Sequence, residues 1–168
     1  MLSPIMARPL RIEYPSAWYH VLNRGRRREK IYFDSADYQT FLTLLGRCYD
    51  LYELEIYAYA LMPNHYHLLV RTPRGNLSRA MRHLDGVYTQ KINRKYGLEG
   101  SVLKGRFKSI LIEKESYRLE IIRYIHRNPY KAGLEKVLGQ HAWTSHRCRE
   151  HWEWRQFGQR WGRPVLSF

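Results

Sequence analysis

The chain has 168 residues, and its 29 Lys and Arg against 15 Asp and Glu give a formal net charge of +14. A length of this kind suits one domain with its own core, and 44% hydrophobic residues exclude a chain disordered by composition. Cys48 and Cys148 lie too far apart in the sequence for a disulfide scaffold or a thiolate zinc site, and they suit a reducing compartment. No apolar run reaches the roughly 18 residues that span a bilayer, so we expect no membrane partner.

The positive charge is concentrated in the middle of the sequence. Residues 71–131 hold 15 basic and 5 acidic side chains, whereas residues 1–70 hold 8 and 7. Residues 24–30 form a second basic segment, with five basic side chains and one glutamate. We interpret these segments as a nucleic-acid-binding surface, and the alternative is a solvated surface that serves solubility.

The first half of the chain predicts strands and one helix. Residues 18–22 are aromatic and partly β-branched, which predicts a strand that runs into the basic loop. Asp34 is the predicted N-cap of a helix whose apolar residues recur at helical spacing. Residues 54–61 and 65–71 predict a strand hairpin around a turn at Pro63.

The second half predicts two helices and a fourth strand. A helix with a basic face opens at Asn76 or Ser78 and ends at Gly97. Residues 109–113 predict a strand, and a third helix capped by Ser116 stops before a proline.

The order β-α-β-β-α-β predicts an α+β, ferredoxin-like domain, with an antiparallel sheet, helices on one face and an added C-terminal helix. We place this domain at residues 1–138. Residues 139–168 contain four of the five tryptophans and show no periodicity, so we expect an atypical, irregular basic tail. A frameshift or truncation is our hypothesis for residues 148–168.

His65 and His67 form the first candidate site. Two positions apart on a strand, they point to the same face with roughly 6–7 Å between their Cα atoms. Two imidazoles so placed can bind one divalent metal. The alternative is a pair of structural sheet histidines, and the same alternative applies to His20, which could neighbour them.

Tyr88, on the basic helix, is the second candidate. A phenol has a pKa near 10 and is a poor nucleophile unless a metal or neighbouring cations stabilise its anion. Its attack on a phosphodiester leaves a phosphotyrosine, which conserves the bond energy for resealing. The alternative is a core or interface side chain, since the chain has 14 tyrosines.

The sequence resembles the HUH-type single-tyrosine transposases, and within them the REP-associated tyrosine transposases. The matching stretches cover about residues 6 to 147 in the family's order. They are MARPLRIEYPSAWYHVLNRGRRREKIYF, AYALMPNHYHLLVRTP, LSRAMRHLDGVYTQKINRKYG, LKGRFKSILIE and RYIHRNPYKAG, followed by a fainter match in AWTSHR.

The resemblance implies a role for each matching residue. His65 and His67 would hold Mg²⁺ or Mn²⁺, and Tyr88 would attack a phosphate of single-stranded DNA to give a 5′-phosphotyrosine and a free 3′-OH. Asn93 is the candidate third metal ligand, with an ordinary exposed or capping asparagine as the alternative. No organic cofactor is implied.

The implied substrates are imperfect palindromic DNA hairpins with a short flanking recognition tetranucleotide. We expect a cytoplasmic, nucleoid-associated enzyme, either a monomer or a homodimer, that cleaves DNA and transfers strands. The alternative is a non-catalytic DNA- or RNA-binding regulator derived from a transposase. The candidate DNA-binding residues are Arg24, Arg26, Arg27, Arg82, Arg94, Lys104, Arg106 and Lys108.

Overall fold

The structure, a computed structural model, describes residues 11–146. Residues 148–168, for which we hypothesise a frameshift or truncation, lie outside this range. A short 3₁₀ turn, Arg26–Arg28, follows the first strand. The strands and α-helices are β1 (Ala17–Arg24), α1 (Ser35–Tyr52), β2 (Glu55–Met62), β3 (His65–Thr72), α2 (Leu77–Tyr96), β4 (Lys108–Leu111) and α3 (Glu115–Lys131).

The four strands form one antiparallel sheet in the order β2-β3-β1-β4. This order and the alternation of strands and helices confirm the predicted ferredoxin-like α+β fold. The two central strands pair over their full length, from Ala17 opposite Thr72 to Arg24 opposite His65. The short edge strand β4 pairs only with residues 19–22 of β1.

Side-chain alternation along β3 divides the sheet into two faces. Tyr66, Leu68 and Val70 are buried in the main core, which also contains the apolar residues of α1 and α2. The intervening residues of β3 therefore face the other way, because successive strand side chains point to opposite faces. On that second face a smaller core joins Leu69 to α3 through Ile125.

The helix ends follow the sequence signals, with one exception. Asp34 and Asp37 form a capping box at the start of α1, and α2 ends at Gly97 in the left-handed conformation, with φ of 62°. Helix α3 starts at Glu115 rather than after Ser116, and it continues through Pro129. A proline so near the last turn removes few helical hydrogen bonds, so it does not stop the helix.

The chain after residue 138 returns to the edge of the sheet. Leu61 N donates to Trp143 O at 2.9 Å, and Ser145 N donates to Tyr59 O at 3.0 Å. The Trp143 ring stacks on Tyr38 with 4.7 Å between centroids. Residues 143–145 thus cover part of β2, while the proposed domain boundary stays a prediction. None of the helices within residues 11–146 is long and apolar enough to cross a membrane.

Candidate active site

Three histidines lie together on the α3 face of the sheet. The rings of His65 and His67, both on β3, are 5.1 Å apart and perpendicular. From the neighbouring strand β1, His20 places its Nε2 2.9 Å from His67 Nδ1. The sequence-predicted pair is therefore joined by His20, which the strand register brings beside it.

All three imidazoles are held in the neutral form. Burial lowers the pKa of His20 and of His65. Burial, together with the neighbouring His20 and His65, lowers the pKa of His67 to about 3. Neutral imidazole is the form that binds a metal ion, so protonation does not block the site at neutral pH.

The hydrogen bonds of the pair fit a divalent metal ion. His65 Nδ1–H donates to Asn64 Oδ1 at 2.6 Å, which leaves the lone pair on Nε2. His67 has a tautomer that carries its proton on Nδ1. In this tautomer His67 Nδ1–H donates to His20 Nε2, and the lone pair of His67 Nε2 is available to coordinate a metal ion. Metal-binding histidines usually donate their second ring N–H in this way.

The two Nε2 atoms would supply only part of a coordination sphere. Within the described range 11–146, no group of three or more His, Cys, Asp or Glu side chains is arranged to hold a metal ion. Divalent ions that catalyse phosphate chemistry commonly keep waters and bind substrate phosphate oxygens. A two-imidazole site is consistent with that type of coordination.

Tyr124 is the tyrosine that lies beside the histidines. Its ring centroid, on α3, is 5.7 Å from that of His67 and 5.8 Å from that of His20. Tyr124 is 42% exposed, and Lys131 Nζ lies 5.6 Å from its ring centroid. The neighbouring Ile125 is buried against the sheet, which fixes the position of Tyr124 on the helix. The arrangement combines an accessible phenol with the candidate metal ligands on one face.

Tyr88, predicted as the nucleophile, lies on the opposite face of the sheet. It is 0% exposed in the core under α2, where its hydroxyl donates to Ile31 O at 2.6 Å. Burial raises the pKa of the Tyr88 hydroxyl well above its usual value, which disfavours the phenolate. The predicted pairing of Tyr88 with His65 and His67 is therefore not found in the structure, because α2 packs on the face from which the histidines point away.

Asn93 is also on α2 and is not brought together with the histidines. Its Nδ2 donates to Gly100 O at 2.6 Å, and its buried Oδ1 has no hydrogen-bond partner within residues 11–146. It lines a cavity of about 280 Å³ together with Arg26 and Arg27. The geometry offers no route for Asn93 to complete the two-histidine site.

Two of the predicted DNA-binding residues lie on the histidine face. Arg24 is directly opposite His65 in the register of β1 and β3, and opposed residues point to the same side. Leu22 on β1 lies between Lys108 on β4 and His67 on β3 in the strand register. The backbones of Lys108 and His67 are therefore two strand spacings apart, or about 10 Å, and both side chains point to the same face.

The remaining predicted contacts lie elsewhere on the surface. Arg82 and Arg106 line a second cavity, of about 610 Å³, on the α2 side. Arg94 and Lys104 are exposed, and Lys104 N donates to Arg24 O at 2.7 Å, which joins the two basic segments. The basic residues therefore surround one end of the sheet instead of forming a single flat patch.

Sequence reasoning missed Tyr124, although a signal for it was present. Tyr66 and Leu68 alternate with His65 and His67, so the apolar residues face the core helices and the histidines face away from them. A side chain that acts together with the histidines would have to come from an element that covers this other face. Tyr124, next to a core position of α3, meets that requirement.

Comparisons with known proteins agree with this fold. The profile of the family described as "Transposase IS200 like" matches residues 13–128. A solved REP-associated tyrosine transposase bound to a REP hairpin is 21% identical, with a TM-score of 0.72, and the match covers 97% of this chain and 95% of that one. A candidate transposase from Deinococcus radiodurans R1 is 19% identical, with a TM-score of 0.49 and coverage of 71% and 95%. No curated protein matches the sequence significantly. Because the family profile spans more than half of its residues, the chain belongs to the IS200-like transposase family.

Proposed function

We propose that this transposase is a metal-dependent endonuclease and strand transferase for single-stranded DNA, with Tyr124 as its nucleophile. The observation that carries the proposal is the contact of an exposed tyrosine with His67 and its partner His20. Tyr88 is replaced in this role because its hydroxyl is buried and bonded to Ile31 O. REP-type hairpins are the proposed substrate class, by analogy with the DNA bound by the similar structure and with the resemblance of the sequence.

The chemistry is an in-line transfer of a phosphoryl group. Tyr124 Oη attacks the phosphorus, its proton passes to water, and the bond from phosphorus to the 3′ oxygen breaks. The leaving oxygen takes up a proton and becomes a free 3′-OH, while the 5′ phosphate stays on Tyr124. A 3′-OH that attacks this phosphotyrosine reverses the step and joins a strand.

The side chains on the histidine face serve this reaction in different ways. His65 and His67 would hold Mg²⁺ or Mn²⁺, which supplies Lewis-acid stabilisation of the non-bridging phosphate oxygens. Arg24 and Lys108 would contact the flanking phosphates from the same face. Lys131, whose Nζ lies 5.6 Å from the centroid of the Tyr124 ring, would be a further contact for phosphate.

The test compares two tyrosine substitutions on labelled hairpin DNA with Mg²⁺. Tyr124→Phe should abolish the covalent adduct that survives denaturation, whereas Tyr88→Phe, the matched control, should retain it. Both proteins must show native circular dichroism and bind the hairpin. Loss of the adduct in Tyr88→Phe but not in Tyr124→Phe would contradict the proposal. Hairpin binding with no adduct in the parent protein would favour the non-catalytic regulator.

A further inference from the structure

A cavity of about 610 Å³ lies between α2 and residues 100–107, on the face of the sheet opposite the histidines. Its size is within the range of pockets that hold small organic groups. The lining includes one carboxylate, that of Asp85, and three arginines: Arg11, Arg82 and Arg106. An acidic group inside an otherwise basic cavity is not explained by phosphate binding alone.

Asp85 is held in a fixed orientation by two donors. Tyr66 Oη donates to Asp85 Oδ1 at 2.8 Å, and Asn23 Nδ2 donates to Asp85 Oδ2 at 2.9 Å. Burial raises the pKa of Asp85 to about 6, and the two hydrogen bonds favour its ionised form. Each oxygen accepts two hydrogen bonds in a carboxylate, so each retains one further acceptor position. The group is a rigid acceptor for two neighbouring donors.

The arginines around the cavity suit a nucleotide. The Arg11 guanidinium lies 3.7 Å from the centroid of the Phe107 ring, and Arg11 Nη2 donates to Phe107 O. A flat guanidinium held in this way is a surface on which a base can stack. Burial, and then the charge of Arg106, lower the pKa of Arg11. Two like charges beside one cavity are stabilised when an anionic phosphate lies between them.

We propose that this cavity binds a single unpaired guanine of the DNA strand, with Asp85 accepting from guanine N1–H and N2–H. The proposal rests on the proposed function, since it assumes a single-stranded DNA substrate. Among the four DNA bases, guanine alone presents two adjacent donors on its Watson–Crick edge. Adenine and cytosine present an amino group beside an acceptor, and thymine presents one N–H between two carbonyls.

The cavity and the candidate active site meet at one end of β1. Asn23 and Arg24 are adjacent, so their side chains point to opposite faces of the sheet. Asn23 donates to Asp85, while Arg24 is opposite His65. Asn23 also donates to Gly105 O at 3.3 Å, which places the loop of the cavity against the same strand end. A strand whose phosphate lies at the histidines would therefore have a flanking base within reach of Asp85.

The test measures how tightly the full chain carrying Tyr124→Phe binds nine-nucleotide oligothymidylates, by fluorescence anisotropy at fixed salt without metal. The central base is guanine, 7-deazaguanine, hypoxanthine, adenine or thymine. Guanine and 7-deazaguanine share the Watson–Crick edge and should bind equally, about tenfold more tightly than thymine. Hypoxanthine, which lacks the N2 amino group, should lose most of this gain. Equal affinity for guanine and hypoxanthine, or no binding of any probe, would overturn the proposal.

Variants of the cavity provide the second measurement. Gly86 lines the cavity. Apart from its two chain neighbours and the nearby backbone of α2, no atom of residues 11–146 lies within 4 Å of a Cβ added there, so Gly86→Ala fits and Gly86→Leu extends from open space. Gly86→Leu should narrow the cavity and reduce the guanine preference, and Gly86→Ala should keep it. Asp85→Asn should remove the guanine preference, because the amide offers one acceptor oxygen in place of two.

A preference that survives both Gly86→Leu and Asp85→Asn would contradict the assignment. The outcome is separable from that of the proposed function, because a chain can select guanine without forming a covalent adduct at Tyr124. Conversely, adduct formation with no guanine preference would leave the proposed function intact and remove this cavity from base recognition.

Discussion

At the scale of single residues, the contact between His20 and His67 determines how the candidate metal site is oriented. His20 Nε2 lies 2.9 Å from His67 Nδ1, and the two rings are nearly parallel, with an interplanar angle of 23°. This contact holds the ring plane of His67 and occupies its Nδ1, which leaves Nε2 for the candidate metal site. We therefore assign His20 a positioning role, whereas sequence reasoning favoured an ordinary sheet histidine.

Removal of the acceptor at His20 should weaken metal binding without removing a ligand. His20→Leu leaves His67 Nδ1 without its partner, and loss of such an outer contact typically costs roughly tenfold to a hundredfold in affinity. His20→Gln places an amide oxygen near the position of Nε2 and should restore most of the affinity. Titration with Mn²⁺, with free Mn²⁺ read by electron paramagnetic resonance, measures the effect. Equal affinities of the parent and His20→Leu would show that His20 has no positioning role.

At the scale of secondary-structure elements, the sequence predicted more of the fold than of the site. Strand alternation, the capping box at Asp34 and the glycine at Gly97 are local signals, and the elements they predict are present. The side of the sheet that α3 covers is decided by contacts of Ile121 and Ile125 with Leu69. Such contacts join residues far apart in the chain, and the alternation along β3 indicates only that the histidines face away from α1 and α2, not which helix covers them. For this reason the histidines were predicted, but the tyrosine beside them was not.

Residues 143–145 link α3 to the edge of the sheet. Ser145 Oγ accepts from Tyr59 N at 2.9 Å and lies 2.7 Å from His126 Nε2 on α3. Through these two contacts the buried Ser145 hydroxyl joins β2 to α3, the helix that carries Tyr124. The segment after the predicted domain boundary thus contributes to the position of the candidate nucleophile.

Ser145→Ala should lower the free energy of unfolding by about 1–3 kcal/mol, because the buried hydrogen bond between Tyr59 N and Ser145 Oγ and the contact of Ser145 Oγ with His126 are both lost. The matched control is Thr43→Ala, whose exposed hydroxyl donates to Gln39 O at 2.9 Å. This control should change stability by less than about 0.5 kcal/mol. Urea unfolding followed by circular dichroism measures both variants. Equal stability losses in the two proteins would show that the Ser145 hydroxyl does not tether α3.

At the scale of the whole molecule, basic side chains of the described residues 11–146 lie on both faces of the sheet. Arg24 and Lys108 lie with the histidines, and Arg82 and Arg106 lie with the Asp85 cavity. The two groups meet where residues 102–104 pair with residues 24–26 at the end of β1. This distribution suits a strand that bends around one end of the sheet better than a duplex lying on a flat surface.

Salt dependence distinguishes the charges that touch DNA from those that only attract it. Each phosphate contact to a single strand contributes about −0.7 to the slope of log affinity against log salt, because counterions are released. Arg24→Ala and Lys108→Ala should each reduce the magnitude of this slope by about that amount. Arg47→Ala removes the same charge from an exposed position on α1, on the opposite face, and should leave the slope unchanged. Anisotropy titrations with hairpin DNA between 50 and 200 mM salt, about the range over which such slopes are large, provide the measurement. If Arg47→Ala changed the slope as much as Arg24→Ala, the net charge rather than the histidine face would control binding.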